Sequence, residues 1–140
     1  MTDAAGPSVG DVWRYPFLWS REAARAETEG RKHRPVAVTL LTRNVAGEIE
    51  ALMVPITSQP PRANPFAVPV PEIEKRRAGL DLHLDLWIVA DEANVDLPAR
   101  SYHFEAGGRI GAFSPQFTKS IQARVIEALK ARKLSRTSRR

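Results

Sequence analysis

The chain has 140 residues, enough for one domain with one core, and its 43% hydrophobic and 26% charged residues match an ordinary soluble globular protein. It has no cysteine, which excludes disulfides and thiolate chemistry and suits the cytoplasm. The formal charge of +5 is local: six of the 21 basic residues fall in residues 130–140 with no acid among them, leaving 15 basic against 16 acidic residues over residues 1–129.

A basic tail attracts nucleic acid without sequence preference, but a solvated, frayed helix end is the plainer reading, so the charge alone does not argue for nucleic-acid binding. The N-terminus lacks the basic and apolar regions of a signal peptide. No apolar run approaches the ~18 residues of a membrane span, so no membrane partner is expected.

In chain order, residues 1–8 read as a flexible lead-in. Gly10 to Tyr15 is a strand of β-formers stopped at Pro16, and Phe17-Leu18-Trp19 continues the core or folds over it. Ser20 to His33 is a long charged loop in which Ala23, Ala24 and Ala26 permit a helical turn. Pro35 to Thr42 and Ile49 to Ile56 form a hairpin across Arg43–Gly47, and both are apolar on two faces, so they are placed centrally. Pro60 to Asn64 is a rigid turn, and Phe66 to Val70 is an edge strand among prolines.

Pro71 to Arg77 reads as a helical turn ended at Gly79, and Leu86 to Ala90 as a buried strand. Asp91 to Pro98 reads as a polar connection, Ser101 to Glu105 as a short strand, and Arg109 to Phe113 as the closing strand. Ser114 then caps one long helix with Pro115 at its first position, although the capping box is incomplete because its partner position holds Phe117. Phe117, Ile121, Val125 and Ala128 form an apolar stripe, widened by Ile126 and Leu129. The expected fold is mainly β with a C-terminal helix (α+β): a twisted, mostly antiparallel sheet. Residues 9–133 form one domain and residues 134–140 a basic tail.

The stretch Val54-Pro55-Ile56-Thr57-Ser58-Gln59-Pro60-Pro61 ends an apolar strand in hydroxyls, an amide and prolines. Gly30-Arg31-Lys32-His33-Arg34-Pro35 delivers an arginine to the start of the preceding strand. In an antiparallel hairpin these ends are neighbours, so Arg34 and Thr57 share a rim. A cation beside a hydroxyl there suits a phosphate. His33, His83 and His103 form no metal spacing, there is no nucleophile elbow and no glycine-rich phosphate loop, so no metal or cofactor is expected. Lys75-Arg76-Arg77 reads as a solvated helix face, and Trp13, Trp19 and Trp87 as core or interface, with Trp19 also near the loop.

Four segments fall in order: Gly10-Asp11-Val12-Trp13; Gly30 through Arg34-Pro35-Val36; Val54 through Gln59; and Trp87-Ile88-Val89 with Asp91-Glu92, followed by Ile110-Gly111, Ser114 and a helix. Together they resemble the MazF/PemK family of toxins from type II toxin–antitoxin systems, over roughly residues 9–130. The resemblance implies an SH3-like small barrel, a homodimer and a metal-independent endoribonuclease that cuts single-stranded RNA at short sequences. It also implies a cognate antitoxin protein covering the RNA groove.

By the same resemblance Arg34 and Thr57 carry the chemistry; Arg31, Lys32, His33, Ser58, Gln59, Asn94 and Asp96 are the candidate RNA-binding residues. Asn94 stands where some members have an arginine, and an amide there can read a base edge. His33 and Glu29 are the nearby groups for proton transfer. The alternative is a catalytically inactive barrel of the same fold. It would act as a protein- or nucleic-acid-binding regulator, or as a poison of a protein target.

Overall fold

The computed structural model describes residues 6–24 and 33–139. Its elements are β1 (Asp11–Tyr15), α1 (Ser20–Ala23), β2 (Arg34–Arg43), β3 (Ile49–Thr57), β4 (Ala67–Pro69), α2 (Glu72–Ala78), β5 (Trp87–Val89), β6 (Glu92–Asp96), β7 (Arg109–Ala112), α3 (Pro115–Lys130) and β8 (Ser135–Ser138). No helix among the described residues is long and apolar enough to cross a membrane.

β2 and β3 form the expected hairpin. Its turn is set by Asn44, whose side-chain oxygen accepts the N–H groups of Ala46 and Glu48, each at 2.9 Å, and by Gly47 at φ 83°. The register shifts between Val38 and Leu40, a β-bulge at Thr39.

Both strands are apolar on two faces because both faces are covered. Ala37, Val54 and Ile56 join Val12, Ile88, Ile121 and Val125 in one core cluster, which seats α3. Val36, Val38, Ala51 and Met53 pack on the other face with Trp13, Tyr15, Phe17, Trp19 and Val89. The alternation is the period of two that a pleated strand imposes.

The sheet runs β4-β5-β3-β2-β1-β7, with β6 beside β3 and β8 beside β6. The far edge of β3 is divided: Ile56 and Thr57 pair with β5, while Ala51, Leu52 and Met53 pair with β6. All pairings are antiparallel except β6 with β8, which is parallel. The fold is therefore mainly β with a C-terminal helix, as expected. The described strands form an open sheet and not the closed SH3-like barrel that the resemblance implied.

Three local expectations are corrected. Asp91–Pro98 is not a connection, since residues 92–96 are β6. The segment Ser101–Glu105 holds turns instead of a strand. Residues 134–139 are not a frayed helix end, because β8 lies within them and Arg139 is 8% exposed, while Arg140 lies outside the described residues. The helix face at Lys75-Arg76-Arg77 is mixed: Lys75 is buried and donates to the Leu84 carbonyl at 2.8 Å, whereas Arg76 and Arg77 are exposed.

Candidate functional site

Arg34 is the first residue of β2 and Thr57 the last of β3. The pairs Val36↔Pro55 and Ala37↔Val54 set a register that, carried two residues outward, faces Arg34 with Thr57. Each is also anchored on its other side, Arg34 opposite Tyr15 and Thr57 opposite Trp87. The two side chains therefore project from ordered sheet.

A groove runs past them in two lobes that share Arg34, Thr57 and Gln59. One lobe, about 340 Å³, adds His33, Pro35, Ile56, Ser58, Leu80, Asp81, Leu84 and Leu86. The other, about 500 Å³, adds Trp19, Arg21, Pro60, Pro61, Asn64 and Val89.

One donor at the centre lacks an acceptor. The Nε of Arg34 is buried with no hydrogen-bond partner among the described residues. Its guanidinium instead lies 5.4 Å from the centroid of the Trp19 ring, and Arg21 lies 4.7 Å from the same ring. Thr57 is 7% exposed, and its Oγ1 accepts the Gln59 N–H at 3.0 Å. That bond fills an acceptor position of the hydroxyl and leaves its hydrogen to donate.

Burial lowers the Arg34 pKa; the Glu22 carboxylate opposes the fall and Arg21 adds to it. A guanidinium remains protonated through any such shift. The site thus holds a desolvated cation, and an anion brought beside it relieves that cost.

Of the sequence-predicted residues, Arg34, Thr57, Gln59, His33 and Ser58 come together at the groove. Arg31, Lys32 and Glu29 lie outside the described residues. Asn94 and Asp96 do not reach the groove and are corrected as RNA contacts. Asn94 is 0% exposed and Asp96 2%, and each spends its polar atoms inside the fold. Asn94 bonds both backbone groups of Leu18, and Asp96 accepts from the Tyr15 and Ser101 hydroxyls and the Leu97 N–H.

One cation at the groove was not marked in the sequence. Arg21, on α1, enters the groove beside Arg34. Its signal was faint, one charge among seven in the Ser20–His33 loop. Asn64 was likewise unmarked, since it closes a segment read only as a rigid turn, and Asp81 lies between Gly79 and Leu86, a stretch given no reading. No protein-family model matches this chain, and no curated protein matches it in sequence.

Proposed function

We propose that this protein is an endoribonuclease of the MazF/PemK kind, cutting single-stranded RNA without need of a metal, with the scissile phosphate held between Arg34 and Thr57. The observation that carries the reading is the buried, unpartnered Arg34 Nε next to a hydroxyl with a hydrogen to give. Buried donors are nearly always bonded, so an unpaired one lining an open groove argues for a missing ligand acceptor.

In the reaction the ribose 2′-oxygen bonds to the adjacent phosphorus and the bond from phosphorus to the 5′-oxygen breaks. The 2′-hydroxyl proton passes to a base, and the departing 5′-oxygen takes up a proton. The products are a 2′,3′-cyclic phosphate and a 5′-hydroxyl. Charge grows on the non-bridging oxygens as the pentacoordinate state forms. Arg34 meets that charge with a bidentate fork. Thr57, β-branched and held by Gln59, donates to the same phosphate or orients the 2′-hydroxyl. His33 lines the same lobe and is the candidate for proton transfer.

The reading carries with it a homodimer and a protein antitoxin over the groove. Binding of RNA without cleavage would use the same unpaired donors, and one assay separates the two. The purified protein is incubated with a long single-stranded RNA in EDTA, with Arg34→Ala alongside, and the cut ends are mapped. Discrete cuts by the unsubstituted protein alone, ending in cyclic or 3′-phosphate, are expected. Intact RNA overturns the nuclease and leaves the binding module.

A further inference from the structure

Three side chains on one face of β6 hold one short stretch of the N-terminal chain. Alternate residues of a strand share a face, so Glu92, Asn94 and Asp96 project together. Asp96 accepts the Tyr15 hydroxyl at 2.6 Å. Asn94 accepts the Leu18 N–H at 2.9 Å and donates to the Leu18 carbonyl at 2.7 Å, pairing both backbone groups of one residue as a neighbouring strand would. Glu92 accepts the Ser20 hydroxyl at 2.7 Å and the Ser20 N–H at 3.2 Å.

Arg139, just past β8, closes the clamp. It donates to the Pro16 carbonyl at 2.5 Å and to the Asn94 side-chain oxygen at 3.3 Å, and its guanidinium lies 5.7 Å from the Tyr15 ring centroid. Its Nη2 also stands 3.4 Å from the His103 Nε2. β8 delivers Arg139 by its parallel register on β6, and the Arg139 N–H donates to the Val95 carbonyl at 2.9 Å.

Between clamped Leu18 and clamped Ser20 stands Trp19, the residue whose ring faces Arg34. A buried amide and a buried guanidinium cost free energy that apolar side chains of similar volume would not. What they supply is one fixed geometry for the strap from Pro16 to Ser20. We infer that Asn94 and Arg139 are positioning residues for Arg34. They fix the strap, and the strap sets Trp19 as the surface on which the guanidinium is aimed at the phosphate. The effect on rate rests on the ribonuclease reading, whereas the clamp does not.

The test uses the full chain labelled with 5-fluorotryptophan, the Trp19 resonance being assigned by Trp19→Phe. Arg139→Gln is expected to move or broaden the Trp19 signal and leave that of Trp87 in place. In cleavage of a single-stranded RNA oligonucleotide spanning a mapped cut, it is expected to lower kcat about tenfold or more with KM within about twofold. Arg139→Lys, which can still reach the Pro16 carbonyl, recovers part of the loss. Arg139→Gln added to Trp19→Ala costs nothing beyond Trp19→Ala.

A folded Arg139→Gln protein with an unmoved Trp19 resonance overturns the inference, and so does an additive loss in the double variant. Should Arg139→Gln fail to fold, hydrogen exchange in the unsubstituted protein decides. Leu18 and Ser20 amides exchanging as slowly as those of β2 support the clamp, and rapid exchange there overturns it. If the unsubstituted protein cuts no RNA, the nuclease reading falls while the resonance and the exchange still judge the clamp.

Discussion

Glu74 completes the cap of α3 from a different helix. One carboxylate oxygen accepts the Ser114 N–H at 2.9 Å and the other accepts the Ser114 hydroxyl at 2.7 Å, while Ser114 Oγ accepts the Phe117 N–H at 3.1 Å. In a local capping box the acid three residues into the helix performs the first of these tasks. Phe117 occupies that position and packs at 5.0 Å against Phe113, so α2 lends the acid across the fold. Glu74→Ala, which leaves the Ser114 N–H without its partner, is expected to lower stability by about 1–3 kcal/mol. Urea unfolding checks this, and a loss below a few tenths would show that the cap in trans is idle.

Arg34 and Thr57 should separate activity from stability. On the proposed ribonuclease reading, Arg34→Ala and Thr57→Val would each remove a donor to the transition state and are expected to slow RNA cleavage by about 10²–10³-fold. Arg34→Met, which also removes the unpaired Nε, is expected to unfold at equal or higher urea concentration than the parent, by up to about 1 kcal/mol. Retained cleavage in Arg34→Ala with normal folding would move the site elsewhere.

Glu92 gives a pH signature. Burial raises its pKa, and the hydrogen bonds from Ser20 pull against that rise. A carboxyl with a folded pKa above its unfolded value contributes stability that is present at low pH and lost as the pH climbs through the folded value. Unsubstituted protein should therefore gain on Glu92→Gln as the pH is lowered from 7 toward about 5, with the variant equal or more stable at neutral pH. Urea midpoints of the two proteins across that range are compared, and a constant difference would refute the assigned cause.

Gly111 sets the approach of α2 to the sheet. A Cβ built there would lie 2.6 Å from the Ala78 carbonyl oxygen and 2.7 Å from its carbon, both backbone atoms. Gly111→Ala is expected to cost about 1–3 kcal/mol through forced separation of α2 from β7. Unfolding midpoints that match the parent would mean the backbone gives way there without strain.

Much of this molecule was legible because its apolar pattern and its chain breakers agree. β1 to β5, β7, α2 and α3 follow from β-branched runs, prolines and the Ser114-Pro115 start. The Arg34–Thr57 pairing followed from hairpin geometry alone. β6 was hidden because its inward face is Glu92, Asn94 and Asp96, a pattern that reads as a solvated loop. Its polar groups are buried because residues 15–20 supply partners, and those partners lie 72 or more positions away. β8 was hidden for the same reason, since Ser135-Arg136-Thr137-Ser138 carries no apolar signal. Arg21 reached the site only through the strap that β6 holds, so missing one meant missing the other.

The clamp also dictates an order of events as the chain is made. Pro16 meets Arg139 across 123 positions, and Leu18 meets Asn94 across 76. Contacts of such separation close late, after local hairpins have formed. While a ribosome has produced only the first hundred residues, the strap that carries Trp19 has no Arg139 to hold it. The strap from Pro16 to Ser20 therefore gains its full set of partners only after the last strand of the fold has been made.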